Sequence, residues 1–264
     1  MDHINPKLAN QPISFNENYM KFSNNSKMML LGPSGIGKSG NIIRSIVKLN
    51  YVLLSQFKIT EFLITLLSKQ ETYFESRFEH IVIFIPSGSS QLMQDNLEKY
   101  KSVVPDIMIH DGLPVQDLDE LGIDFKSGPT MFIFEDNWLE ATESKFIAKL
   151  TTLTSRKLEI FLCFVSQNCF SNNKFCNTLR RNISYYVIWH SFHTSYIKLL
   201  SNNLFSEKNF LINAFREICK YKRNHWEQFC IVNLNPRYKL SDNLRCYTNI
   251  FEKEIWFLCS NRNK

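Results

Sequence analysis

The seven cysteines include no C-x-x-C pair and show no even spacing. An odd, scattered set of this kind argues against a disulfide framework and fits a reducing compartment. No apolar run predicts a membrane span either. The longest, Tyr51 to Leu67, contains Lys58 and Glu61 and repeats its large residues at helical spacing, so it predicts a buried or amphipathic helix. The opening "MDHINPKLANQPISFNENY" lacks the basic-then-apolar order of a secretory signal and reads as a polar lead-in. No internal repeat is present, which excludes a solenoid. Charge of one sign is not concentrated: the formal net charge of +6 is a modest basic excess, compatible with a polyanionic partner without requiring one. A lone H-x-x-H, His190 and His193, has no third ligand nearby and reads as part of a folded turn.

Glycine is scarce, with eight residues in 264, yet the stretch "MMLLGPSGIGKSGN" (28–41) is rich in it. Met28 to Leu31 read as a short buried strand. Gly32, Pro33, Ser34, Gly35, Ile36, Gly37, Lys38 and Ser39 then match the phosphate-loop pattern G-x-x-x-x-G-K-S in full. The glycines let consecutive backbone N–H groups converge on one anion, and the helix-compatible "NIIRSIVKL" that follows would add the partial positive charge of its N-terminus. Lys38 would reach the β- and γ-phosphates of ATP, and the Ser39 hydroxyl would complete a Mg²⁺ shell.

Further apolar runs, "HIVIFIP" (80–86), "DIMIH" (106–110), "MFIFED" (131–136) and "IFLCFVSQN" (160–168), read as buried parallel strands, and 143–156 reads as helix. Alternating strands and helices predict an α/β fold of the P-loop NTPase type, with a mostly parallel sheet and helices on both faces. The length suits one large α/β domain or a domain with a small appendage, after a polar lead-in at 1–25. Ligands of such sheets gather beyond the carboxyl ends of the strands. Glu135 and Asp136 end one apolar run and are expected beside the phosphate loop, one holding metal and the other orienting or deprotonating water. Gln167 ends the next run, within reach of a γ-phosphate or that water. The competing reading makes the acids caps of the following helix and Gln167 a turn residue.

Together the phosphate loop, "IMIHDGLP" (107–114), "FIFED" (132–136), "FVSQNCF" (164–170), "LRRNISYYVIW" (179–189), "NFLINAFREICK" (209–220), "FCIVNLNP" (229–236) and "LRCYTNIF" (244–251) resemble one family. It is the genome-packaging ATPases of the FtsK/HerA superfamily, of the poxvirus-like, virophage, adintovirus and Polinton type. The resemblance implies a RecA-like sheet of the ASCE class, with the catalytic acids on the strand beside the phosphate-loop strand. It implies a homo-oligomeric ring that drives double-stranded DNA into a capsid, with a capsid or portal-vertex protein as partner. The resemblance spans about 26–252, before a tail at 253–264, and the setting it implies is intracellular, in host cytoplasm or nucleus, or in association with the virion, with no membrane. It gives Asp136 the water-activating role, Glu135 with Ser39 the metal side, and Gln167 the γ-phosphate sensing role. Arg180 or Arg181 becomes the arginine that reaches a neighbouring subunit's nucleotide. Two departures stand out: the family usually has Asp where Glu135 stands, and "HSFHTS" replaces the usual basic residue and Asp after "YYVIW". Lys220, Lys222, Arg223 and Arg237 are the candidate DNA-phosphate contacts. A guanylate-type nucleoside monophosphate kinase, whose loop "GPSGIGKS" also resembles, and a non-catalytic nucleotide-binding assembly protein are the alternatives.

Overall fold

A computed structural model of the chain describes residues 21–32, 59–88, 98–104, 106–114, 117–190, 194–222, 227–238, 245–251 and 255–258. These fall into two compact units, one of residues 21–30 and 59–183, the other of 31–32 and 184–258.

The first unit is built on five neighbouring strands. They are β1 (Lys27–Leu31), β2 (His80–Ile85), β3 (Met108–Asp111), β4 (Thr130–Glu135) and β5 (Ile160–Ser166), in the order β3-β2-β4-β5-β1. The last residue of β1, Leu31, already belongs to the second unit. β3, β2, β4 and β5 are parallel, with Phe84 opposite Phe134 and Phe134 opposite Phe164. Every residue of β1, β4 and β5 is buried, as continuous apolar runs must be in a sheet covered on both faces.

The register puts three rings in one row. Phe84 stacks on Phe134 at 4.9 Å and Phe134 on Phe164 at 4.8 Å, and Trp138 meets Phe164 edge-on at 5.4 Å. On the other face Phe161 packs edge-on against Phe74, whose neighbours Phe22 and Phe78 complete the cluster. Phe74 follows the helical residues 59–68 and 70–73, so the end of the long apolar stretch is helical as its spacing predicts. The helix expected over 143–156 is also present. It begins behind Ser144, whose side chain accepts from the Ile147 N–H, runs over Lys145–Lys149, widens through Leu150–Thr154 and ends at Ser155–Lys157.

One expectation is corrected. The strand carrying Glu135 and Asp136 does not adjoin the phosphate-loop strand, because β5 lies between β4 and β1. The Leu162 N–H bonds to the Ser26 carbonyl at 3.1 Å, tying β5 to the entry of β1. Chain order does not dictate sheet order: after β4 the helix at 145–157 returns the chain to the β1 side.

The second unit is antiparallel, a feature the apolar runs did not announce. β6 (Tyr185–Trp189), β7 (Phe229–Asn233), β8 (Cys246–Thr248) and β9 (Trp256–Phe257) pair in chain order. Helices Thr194–Leu204 and Phe210–Tyr221 separate β6 from β7. The second of these buries Phe210, Leu211, Ala214, Phe215 and Ile218, a stripe at helical spacing. The six described cysteines are all free thiols.

Candidate active site

Of the phosphate-loop residues, Gly32 is described and follows β1 directly, the placement the motif requires. Pro33, Ser34, Gly35, Ile36, Gly37, Lys38 and Ser39 lie outside the described residues. A complete motif leaving a buried strand, together with the parallel α/β sheet, makes this a P-loop NTPase fold.

The first unit brings Asp136 and Gln167 together. Gln167, just past β5, donates its Nε2 to both carboxylate oxygens of Asp136, each at 3.1 Å. Asp136 leaves β4 with φ 53°, a left-handed conformation that Asp tolerates better than most residues but still at a cost. Its N–H bonds to the Val165 carbonyl of β5 at 3.1 Å. Desolvation raises the Asp136 carboxyl above its ordinary range, and the hydrogen bond from Gln167 opposes that rise.

Glu135 is different in kind. It is the last residue of β4, 6% exposed, on the sheet face opposite the ring row. Burial, and secondarily the negative charge of Asp136, push its carboxyl up to about 8. Its presence in turn helps to raise the Tyr100 hydroxyl and the Cys163 thiol, both already raised by burial. One of its oxygens, Oε2, is buried without a hydrogen-bond partner. An orphaned carboxylate oxygen fits a cation, and Mg²⁺ characteristically takes one or two protein carboxylates with substrate phosphates completing its shell. No group of three or more His, Cys, Asp or Glu side chains gathers as a metal cage among the described residues. Glu135 therefore fits the metal-side position, and when bound Mg²⁺ would supply positive charge against the phosphates.

The raised carboxyl has a consequence for the protein alone. A group that holds its proton more tightly when folded stabilises the fold at low pH and loses that contribution as pH climbs through its folded pKa. Stability is therefore expected to decline from the ordinary carboxylate value of 4.5 up to about 8, by at most about 1.4 kcal/mol per pH unit for one proton. Melting curves between about pH 5 and pH 8 should show this slope, and Glu135→Gln should flatten it. An unchanged slope in the glutamine variant would place the titration elsewhere.

Neither acid caps the next helix. The N-cap of Trp138–Ala141 is Asn137, whose side chain makes no capping hydrogen bond. Sequence reasoning passed over Asn137, although a polar residue between the acids and a buried Trp was the available signal.

The two arginines end the helix Cys176–Arg181 in different surroundings. The Arg180 guanidinium lies over the Phe170 ring at 4.5 Å and donates to Asn177 Oδ1 at 2.8 Å. Arg181 is exposed.

Among the basic residues proposed to face DNA, Lys222 is corrected: it is 7% exposed, just past the end of its helix, and its carbonyl accepts Gln228 Nε2 at 2.8 Å. A buried lysine cannot neutralise a backbone phosphate. Lys220 is exposed but paired with Glu217 at 2.6 Å, Arg237 is exposed, and Arg223 lies outside the described residues. His190 is an exposed turn residue whose ring meets Phe215 at 5.6 Å, and His193 lies outside the described residues. No helix among the described residues is long and apolar enough to cross a membrane.

No protein-family model and no curated protein matches the chain. Solved structures similar in chain path include B204, the DNA-packaging ATPase of Sulfolobus Turreted Icosahedral Virus, at 10% identity and TM-score 0.47, over 89% of this chain and 98% of that one. The genome-packaging NTPase B204 of Sulfolobus turreted icosahedral virus 2, in complex with ATP-gammaS, is 10% identical at TM-score 0.45, over 90% of this chain and 98% of that one. The KaiC-like protein PH0186 of Pyrococcus horikoshii OT3 is 12% identical at TM-score 0.34, over 62% of this chain and 72% of that one.

Proposed function

We propose that this chain is an ATP-hydrolysing motor of the RecA-like kind that moves double-stranded DNA into a viral or virus-like capsid. The observation that carries the hydrolytic part is the coupled pair Asp136 and Gln167, at the carboxyl ends of adjacent parallel strands, in a chain with a complete phosphate loop. In this reading Gly32 to Ser39 hold the triphosphate, with Lys38 against the β- and γ-phosphates. Asp136 accepts a proton from the attacking water. Gln167 reports the γ-phosphate, because the amide that now holds Asp136 is the group that a phosphate oxygen would compete for. Glu135 and Ser39 are the metal-side residues. Arg181, the exposed member of its pair, serves a neighbouring subunit in a homo-oligomeric ring, and the capsid or its portal vertex is the docking partner. The assignment to packaging, and with it a virus factory in host cytoplasm or nucleus, rests on the resemblance of the motif series.

Steady-state turnover with and without duplex DNA tests the reading. Duplex DNA of any sequence is expected to stimulate hydrolysis and GMP to leave it unchanged. Affinity for DNA should fall with salt by about 0.9 log units per tenfold salt for each phosphate neutralised, with little dependence on sequence. Hydrolysis indifferent to duplex DNA but dependent on GMP would make the chain a nucleotide kinase, and nucleotide binding without turnover would make it a non-catalytic assembly protein.

A further inference from the structure

Asn137 stands where a helix cap is expected and does something else. Asparagine is among the preferred N-cap residues because its side-chain oxygen accepts from the first free N–H groups of the helix. Here no such bond is made. The amide nitrogen instead donates to the carbonyl of Phe84 on β2 at 3.0 Å, across a sequence separation of 53 residues. Asn137 is 1% exposed, and its Oδ1 is buried without a hydrogen-bond partner. The bond to Phe84 thus comes at the cost of an uncapped helix start and of a buried orphan acceptor, roughly 1–3 kcal/mol.

What the arrangement secures is the turn that carries Asp136. β4 is flanked by β2 and β5. On the β5 side the turn is held by the Asp136 N–H on Val165, and on the β2 side by the Asn137 amide on Phe84. Between those two bonds sits the single left-handed residue of the turn, Asp136. Phe84 is itself fixed, stacked on Phe134 and in ring contact with His110 at 5.5 Å.

We propose that Asn137 is a positioning residue for hydrolysis, holding the left-handed Asp136 in the orientation in which it meets both Gln167 and the attacking water. It touches no substrate and acts through Asp136. The inference rests on the hydrolytic reading above.

The test is a double-mutant cycle on the full chain. Asn137→Leu keeps similar bulk and removes the donor, and Asn137→Ser, too short to reach Phe84, serves as the second variant if leucine prevents folding. Either variant is expected to bind a fluorescent ATP analogue within about twofold of the parent while kcat falls roughly 10²-fold, the scale of a misplacement of about 1 Å. Asp136→Asn is expected to keep nucleotide and lose about 10²–10⁴-fold in turnover, as removal of a general base does. Adding the Asn137 change to Asp136→Asn should then lower turnover no further. Parental kcat in a folded Asn137 variant, or losses that multiply in the double variant, would overturn the proposal while leaving the ATPase reading intact. A parent chain with no turnover would overturn both.

Discussion

Lys38→Ala is expected to lower ATP turnover severely, with a loss in kcat/KM of roughly 10³-fold or more, part of it as weaker nucleotide binding and the rest as a lower kcat. The reason is electrostatic. The triphosphate concentrates negative charge on its β- and γ-groups, and the backbone amides of a glycine loop offer only partial charges against it. The lysine supplies the one full charge that the motif itself contains. It acts on the bound nucleotide as well as on the transition state, so binding and rate should fall together. Calorimetric titration with a non-hydrolysable analogue, beside a turnover assay, separates this pattern from that of Asp136→Asn, where binding persists and rate is lost. Parental turnover in a folded Lys38→Ala variant would sink the assignment of the loop.

How much of this was legible in the sequence differs from element to element. The strands within 80–86, 131–136 and 160–168 were readable because each is an apolar run too continuous for one-sided burial; β4 and β5 are buried along their length, and β2 at all but its two end residues. The acids could be located by their position after such a run. Their distance in the sheet from β1 could not, because periodicity reports which residues are buried and says nothing of which strand lies beside which. β5 intervenes, so Gln167, rather than Asp136, follows the strand that neighbours β1. Lys222 was misread for a related reason. In "KYKRNHW" bases interleave with aromatic residues as in a nucleic-acid-binding loop, but the helix ends at Tyr221 and Lys222, just past it, is buried, with its carbonyl accepting from Gln228. Asn137 was passed over because its partner Phe84 lies 53 residues away, and the local signal, a polar residue between the acids and Trp138, does not reveal that bond.

The proposal's preference for Arg181 over Arg180 draws on packing, which sequence does not show. To leave the Phe170 face, Arg180 would forfeit a cation–π contact worth about 0.5–2 kcal/mol together with its bond to Asn177. Arg181, exposed at the end of the same helix, has less to give up. Arg181→Ala is therefore expected to lower turnover by about 10³-fold or more, the scale on which an arginine supplied to a transferring phosphoryl group acts. Arg180→Ala is expected to show chiefly in the melting temperature. The proposal that the group acts across a subunit boundary makes a sharper demand. A ring of Arg181→Ala subunits has every phosphate loop intact and no arginine to serve it, and a ring of Lys38→Ala subunits has every arginine and no competent loop. Mixed, the two place intact arginines beside intact loops, so activity should reappear from two inactive preparations and peak at an intermediate ratio. If the arginine served its own subunit's nucleotide, no mixture could restore a complete site. Absence of recovery at every ratio, with mixed assembly verified by a size or mass measurement, would therefore return the arginine to its own subunit.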